Sequence, residues 1–367
     1  MRILQVVKSL KKNGTETSIM NVFKSIDRNL FKFDFLIFVN SKDGYYEEAI
    51  ELGAKVYHIT PRNHNPIKYY QQLNEFFKTH KDEYDVIHVN DMSVSSIAPL
   101  YFAKKYGIPK RVLHFHGSNC EGLHNKILHN TNKYFIKKLA NKYLACSRSA
   151  VEWGYSNTGL IPHAGVVNNG IDIERFRFNI SERNRVREEL GLHATDKVLI
   201  HVGSFNTVKN HTFLIDLFAD VHKTNNNLKL ILIGDGPLYE GAKSQALSLG
   251  MQEHILFLGR QENIPSYMSA ADCFILPSYH EGLPMVLLEA QASGLPIITS
   301  TGVSDEAKAN PNFLRINLNE SRNKWVNSIL EFMNLREGTR EIPQEMLQFS
   351  INNTVKTFME IYNAKDD

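Results

Sequence analysis

Short apolar, β-branched runs recur along the chain, with segments of helical length between them. In the first half they are RILQVV, FDFLIFV, AKVYHI, DVIHV, RVLHF, KYLAC and GVVN. In the second half they are KVLIHVG, LKLILIG, HILFLG, DCFIL, PIITS and FLRI. Near-continuous hydrophobic strands alternating with helices predict parallel sheets covered on both faces. Each half has enough units for its own doubly wound sheet. The predicted fold class is therefore α/β, with two Rossmann-like domains facing a cleft. The boundary falls near VVNNGIDIERF, where Asn169-Gly170 is a turn signal and a polar stretch follows. That gives a first domain over 1–167 and a second over 168–351.

Ligands in open α/β sheets bind outside the carboxyl ends of the strands. The segment YHEGLPMVLLEAQASGLPIITS, Tyr279 to Ser300, begins at such a place, after the strand DCFIL. Pro284 suits the first helical turn and Gly294 the position just past the last, so a helix is predicted over Pro284 to Ser293. Its N-terminus offers unbonded N–H groups and partial positive charge to a phosphate or diphosphate. Glu281 lies in the loop before it. Glu289 lies five residues past Pro284, about 7.5 Å along the helix axis at about 1.5 Å per residue. That separation suits a nucleoside diphosphate with its ribose diol on Glu289, since a carboxylate can accept from both hydroxyls. The alternative for each carboxylate is a solvated position, on the loop or on the helix surface.

Charge sharpens the division into halves. Residues 1–167 carry 23 Lys+Arg against 14 Asp+Glu, a net +9, and the remainder 19 against 25, a net −6. A basic half beside an acidic one meets different partners. No nucleic-acid motif is present, so an anionic membrane surface is the expected partner of the basic half. KILHNTNKYFIKKLANKY, residues 126–143, is helical in period, with Leu128, Phe135, Leu139 and Tyr143 on one stripe and Lys126, Lys133 and Lys137 elsewhere. It reads as a solvated lysine face or as a lipid-docking one, and YFAKKYGIPKR adds further basic residues. No apolar run approaches the roughly 20 residues of a membrane span. The opening MRILQVVKSLKKNG reads as a first strand rather than a signal peptide. Three scattered cysteines predict a reducing compartment and no disulfide framework. The His114-x-His116 pair shares one face of its strand but lacks the further ligands of a zinc site.

These segments resemble the family 4 glycosyltransferases, retaining enzymes of GT-B architecture, and within them the bacterial capsular and exopolysaccharide type. HEGLPMVLLEAQASGLPIITS is similar to the family's E-x7-E signature. VNNGIDIERF resembles its N-G-[IV]-D-x-x-x-F linker, and LILIGDGPLYE its G-x-G-P turn. ILFLGRQENIPSYMSAADCFILPS resembles the stretch before the signature. The resemblance implies that Glu289 holds the ribose and Glu281 the donor sugar. Backbone N–H groups from Gly282, Leu283, Met285 and Val286 would meet the distal phosphate and sugar. Lys209 would neutralise the diphosphate, and Arg260 and its neighbours would line the base. His116 would face the donor sugar from the first domain, and Gly14 would belong to a glycine loop near the diphosphate. The final helix, over about 352–367, would return to the first domain.

The chain departs from the pattern twice. Ser204 stands where the family has an arginine on the diphosphate, leaving Lys209 alone unless Arg260 substitutes. Asn13-Gly14 replaces Gly-Gly, which survives if Asn13 takes the left-handed conformation that Asn tolerates. Glu16 reaches an acceptor hydroxyl or caps the helix that follows.

The function that follows is retaining, metal-independent transfer of a sugar, hexosyl or N-acetylhexosaminyl. The donor is a nucleotide diphosphate, with UDP the expected nucleotide. The acceptor is a lipid-linked saccharide at the cytoplasmic face of the membrane. No cofactor is expected beyond the donor, and the catalytic set is Glu281, His116 and Lys209. The rivals are a sugar-nucleotide epimerase or hydrolase on the same architecture and a non-catalytic nucleotide-sugar-binding subunit.

Overall fold

The computed structural model describes residues 1–39, 44–117, 120, 122–335 and 342–364. Each apolar run of the sequence is a strand among them. Contacts divide the chain into two units, Met1–Ile171 with Phe349–Asp367, and Asp172–Gln348.

The first unit carries β1 (Arg2–Val7), β2 (Lys32–Ile37), β3 (Val56–His58), β4 (Val86–Asp91), β5 (Lys110–Phe115), β6 (Lys142–Ala145) and β7 (Ala164–Val166). All pair in parallel, in the order β3-β2-β1-β4-β5-β6-β7. The helices between them are α1 (Gly14–Ser25), α2 (Tyr46–Glu51), α3 (Pro66–Thr79), α4 (Ala98–Lys105), α5 (Leu123–Lys133), α6 (Ile136–Leu139) and α7 (Arg148–Tyr155). Alternate strand residues feed two cores. Leu4, Val6, Ile87 and Leu113 pack against Leu73, Phe77 and Leu100 on one face. Ile3, Val7, Phe33 and Phe35 pack against Met20 and Phe23 on the other.

The second unit carries β8 (Lys197–Val202), β9 (Leu228–Ile233), β10 (Ile255–Phe257), β11 (Cys273–Leu276), β12 (Ile297–Ser300) and β13 (Phe313–Ile316). They are again parallel, in the order β10-β9-β8-β11-β12-β13. The helices are α8 (Ile180–Glu189), α9 (His211–His222), α10 (Tyr239–Ser248), α11 (Ile264–Ala270), α12 (Met285–Ala292) and α13 (Arg322–Asn334). Trp325 of α13, fully buried, joins Leu217 and Phe218 of α9 over this sheet.

The last helix, α14 (Ile351–Asn363), belongs to the first unit. Its apolar face, Val355, Phe358 and Tyr362, completes the core around Met20 and Phe33. The buried Lys110 Nζ donates to the carbonyls of Ile361, Tyr362 and Ala364 at 3.1, 2.6 and 2.5 Å. A cation on the terminal carbonyls satisfies acceptors that a helix leaves unbonded and opposes its dipole.

The segment 126–143 is not one helix. α5 ends at Lys133, α6 is a single turn, and Lys142 begins β6. Its expected stripe is therefore split. Leu139 enters the core, Tyr143 lies on β6, and Phe135 stays 46 % exposed. Lys133 does not join a solvated face. It is buried and donates to the Trp153 carbonyl at 2.9 Å and the Ser156 hydroxyl at 2.8 Å.

Candidate functional site

Both sheets reverse their strand order, at β1 and β4 in the first unit and at β8 and β11 in the second. Loops leaving the carboxyl ends of two such strands diverge and leave room for a ligand. In the second unit those loops carry Lys209, after β8, and Glu281, after β11.

The loop after β8 is built around asparagines. Asn206 precedes a single 3₁₀ turn, Thr207–Lys209, and its side chain accepts from the Lys209 N–H at 3.1 Å. Asn210 then takes a left-handed conformation, φ 58°, and starts α9. Two bonds tie this turn to the loop after β11. The Asn210 amide donates to the Pro277 carbonyl at 3.3 Å, and the Tyr279 N–H donates to the Val208 carbonyl at 2.9 Å. Lys209 and Glu281 thereby meet, with Nζ 2.7 Å from Oε1 and both side chains mostly buried.

Glu281 is held from the other side by the segment after β12. Its N–H donates to the Gly302 carbonyl at 3.0 Å, and its carbonyl accepts from Ser304 at 3.1 Å. Gly302 is required here, because a Cβ would lie 2.2 Å from the Tyr279 carbonyl oxygen. α12 follows, one residue later than the sequence predicts. Pro284 is its extended N-cap rather than its first helical residue, and Met285 starts the helix. At its end Gly294 is left-handed, φ 67°, as its place past the helix requires. The first-turn N–H groups of an α-helix have no intrahelical partner, and those of Met285 and Val286 occupy that position. The Met285 and Leu283 side chains are buried and Val286 is half-buried.

Glu289 lies on α12, half-buried, and its carboxylate makes no hydrogen bond or ion pair among the described residues. Burial pushes its carboxyl up to about 7, with Arg175 opposing that rise. The neighbouring Gln291 contrasts with it. Fully buried, it donates to the carbonyls of Leu287 and Ala307 at 3.1 and 2.7 Å and accepts from Ala309 and Asn310 at 2.8 and 2.9 Å. Gln291 fixes α12, which leaves Glu289 as the uncommitted polar group of the helix.

Ser204 is exposed. Arg260 is an exposed side chain whose Nε lies 2.9 Å from Asp235 Oδ2. Asp235 sits in the Gly-Asp-Gly-Pro turn, where Gly236, φ 150°, lets the backbone pass Phe205; a Cβ there would lie 2.6 Å from the Phe205 carbonyl. The imidazoles beside Lys209 add no charge. Burial lowers His201 well below the usual range and brings His211 to about 4.

His116, Gly14 and Glu16 lie in the first unit. His116 follows β5, and its Nε2 is 2.9 Å from Asn90 Oδ1. Burial holds it at about 3, so its ring is neutral. Gly14 is the first residue of α1, exposed, with open space where a Cβ would be. Asn13 is extended, φ −112°, so this loop does not use the left-handed conformation that replacement of Gly by Asn suggested. Glu16 is buried in the first turn of α1 and accepts from Ser9 Oγ at 3.2 Å. Burial raises its carboxyl above the ordinary range.

Sequence reasoning did not find Gly302, Gln291, Asn206 or Asn90. Asn206 carries a legible signal, an Asn three residues before the N–H it accepts from. The others depend on neighbours distant in sequence that no local pattern announces.

The family model for Glycosyltransferase Family 4 matches residues 12–175, and that for Glycosyl transferases group 1 matches residues 182–342. The chain is a glycosyltransferase of GT-B fold, related to both groups. EpsF of Bacillus subtilis, named among the glycosyltransferases, is 29 % identical over 376 residues, covering 100 % of this transferase and 97 % of EpsF. An Escherichia coli UDP-Gal:α-D-GlcNAc-diphosphoundecaprenol α-1,3-galactosyltransferase is 30 % identical over 251 residues, 65 % of this chain and 64 % of that one. The crystal structure of Anabaena HepE in complex with UDP superposes with a TM-score of 0.80 at 20 % identity, covering 98 % of this chain and 99 % of that one. Among the described residues of the transferase, no group of three or more His, Cys, Asp or Glu could hold a metal ion. No described helix is long and apolar enough to cross a membrane.

Proposed function

We propose that this transferase moves a hexosyl or N-acetylhexosaminyl group from a UDP-sugar to a lipid-linked saccharide, with retention of configuration, in capsule or exopolysaccharide synthesis. The observation that carries the reading is the Lys209–Glu281 pair at the strand-order reversal of the second unit, with α12 and the unpartnered Glu289 next to it. A diphosphate accepts from the first-turn N–H groups of α12 and takes the ammonium of Lys209. Glu289 accepts from the ribose diol, and Glu281 faces the sugar. Charge developing on the leaving diphosphate is met by a fixed cation and fixed dipoles, which is where electrostatic catalysis acts. A divalent ion is not needed for that role.

The E. coli relative acts, by its name, on a UDP-sugar and a diphosphoundecaprenol acceptor, and the HepE structure contains UDP; both support the donor class, and the first supports the acceptor class. Retention, the contacts of Arg260 with the base and of Gly14 near the diphosphate, and the placing of His116 on the sugar rest on the motif resemblance. Glu16 stays assigned to an acceptor hydroxyl, with its contact to Ser9 as the alternative use of that carboxyl.

Docking to the inner membrane face is assigned to α5 and α6. Leu123, Ile127 and Tyr134 are 76 %, 56 % and 72 % exposed there, and Lys126, Lys137 and Lys138 are exposed beside them in sequence. Calorimetric titration with UDP, followed by donor turnover with and without a polyprenyl-diphosphate saccharide, tests the reading. Binding with acceptor-dependent turnover is expected. Turnover without acceptor would identify an epimerase or hydrolase, and binding without turnover a silent subunit.

A further inference from the structure

The first unit contains a chain of polar side chains, all but His116 buried, linking α14 to the end of β5. Asn90 Nδ2 lies 3.1 Å from the backbone carbonyl of His88 and 2.8 Å from Gln5 Oε1. Gln5 Nε2 lies 3.2 Å from Tyr362 Oη, which lies 2.7 Å from His88 Nδ1. His88 Nε2 lies 3.2 Å from His114 Nδ1, and the rings of His114 and His116 are 4.0 Å apart. Asn90 Oδ1 lies 2.9 Å from His116 Nε2.

One backbone carbonyl sets the direction of the bonds that Asn90 and Gln5 make, and the Tyr362 hydroxyl, whose hydrogen-bond partners among the described residues are Gln5 and His88, has only His88 Nδ1 to donate to. A carbonyl oxygen only accepts, so the Asn90 atom facing His88 O is the NH₂ group, and its other hydrogen goes to Gln5. Asn90 Oδ1 is then the acceptor facing His116, and a neutral imidazole with a donor at Nε2 has an acceptor at Nδ1. Running the other way, Gln5 donates to Tyr362, Tyr362 to His88 Nδ1, and His88 Nε2 to His114 Nδ1. His114 is left with its proton on Nε2. The two ring atoms that finish the chain, His116 Nδ1 and His114 Nε2, are buried and have no partner among the described residues. Buried polar atoms without partners are rare enough to require an explanation.

We propose that Asn90 is a positioning residue that holds His116 as its Nε2–H tautomer, so that Nδ1 is a fixed acceptor for a hydroxyl of the transferred sugar. The hydroxyl rests on the proposed function; the tautomer does not. Tyr362 polarises the other branch, through which the last helix of the chain sets the proton position of His114.

Ring nitrogen shifts of ¹⁵N-histidine-labelled protein, with His116→Gln to assign the resonance, measure this directly. A protonated Nε2 and an unprotonated Nδ1 are expected for His116 throughout the neutral range. Asn90→Leu, which removes the acceptor, should abolish that pattern; Asn90→Asp, whose carboxylate still accepts from Nε2–H, should keep Nε2 protonated; and Tyr362→Phe should alter His114 and leave His116 unchanged. In turnover, Asn90→Leu should lower kcat/KM for the sugar donor about tenfold, the loss of one hydrogen bond, with UDP affinity unchanged. A wild-type His116 protonated on Nδ1 overturns the proposal, even if neither Asn90 variant folds. So does a folded Asn90→Leu variant that keeps the wild-type shifts. If the shifts are as expected and no sugar transfer occurs, the tautomer stands and the transferase reading falls.

Discussion

Lys209 Nζ and Glu281 Oε1 lie 2.7 Å apart, so the cation proposed for the diphosphate is already neutralised by the carboxylate proposed for the sugar. A diphosphate must compete with Glu281 for Lys209. Glu281→Gln removes that competitor and should tighten UDP binding roughly three- to tenfold, an ion pair of this exposure being worth about 1 kcal/mol. The same substitution should lower turnover of the UDP-sugar, because the carboxylate facing the sugar is lost. Lys209→Ala should weaken UDP and lower turnover by about 100-fold or more. Calorimetry and initial rates on the two variants check both. Weaker UDP binding in Glu281→Gln would remove the competition from the site.

Glu289 predicts an opposition between stability and binding. An acid whose folded-state pKa is raised holds its proton more tightly when folded. It therefore costs stability once pH passes its unfolded value, 4.5, and costs the full amount above about 7. Glu289→Gln should raise Tm at pH above 7, by a stabilisation of about 1–3 kcal/mol, and leave Tm unchanged below pH 4.5. Binding runs the opposite way, since the ionised carboxylate is the better acceptor for a diol. Wild-type affinity for a UDP-sugar, whose diphosphate does not titrate in this range, should rise with pH through about 7. In Glu289→Gln the affinity should be flat and about 1–3 kcal/mol weaker. A pH-independent wild type would sink the ribose assignment.

Gly302 supports the site from outside the motif. Gly302→Ala places a Cβ against the Tyr279 carbonyl, and the bonds that hold Glu281 to residues 302–304 must shift. Misplacing a catalytic group by about 1 Å costs about 100-fold in rate. Turnover should fall by that order while UDP affinity, carried by α12 and Lys209, changes little. Loss of UDP binding with intact folding would show that residues 302–304 shape the nucleotide site instead.

How much of this was legible in the sequence follows from what each feature depends on. The strands were readable because both faces of a parallel sheet are covered, so runs such as RILQVV and KLILI are apolar at nearly every interior position. The positions of Glu281, Lys209 and Glu289, after strand ends or on the helix that follows Pro284, were readable from the strand and Pro signals. That Lys209 pairs with Glu281 was not readable. It follows from β8 lying beside β11, whose registered partners are 74 residues apart in sequence. Asn90 and Gln5 are single polar residues inside apolar strands, and nothing local distinguishes them from mispatterned positions. The helix predicted over 126–143 failed because Leu139 and Tyr143 continue its period by coincidence, while the chain has already turned into β6.

Metal dependence separates two ways of meeting the diphosphate charge. With Lys209 and the α12 N–H groups in that role, turnover should survive EDTA and remain unchanged on adding Mg²⁺ or Mn²⁺. A rate lost to EDTA and restored by either ion would assign the charge to a bound metal.

The exposed side chains of α5 and α6 give the membrane proposal a measurable form. Burying Leu123 or Ile127 in the interface contributes about 1.5–3 kcal/mol each, and each lysine near an anionic surface about 1 kcal/mol. Sedimentation with vesicles rich in anionic lipid should therefore capture the transferase, and neutral vesicles should capture far less. Ile127→Asp should reduce capture about tenfold or more. Lys137→Glu with Lys138→Glu should do so in a salt-dependent way, because surface charge is screened within about 10 Å at 0.1 M salt. None of these side chains belongs to the donor site, so turnover of a water-soluble acceptor should be unaffected while turnover of a vesicle-borne one falls. Equal capture by neutral and anionic vesicles, or unchanged capture of Ile127→Asp, would place the lipid contact elsewhere on the protein.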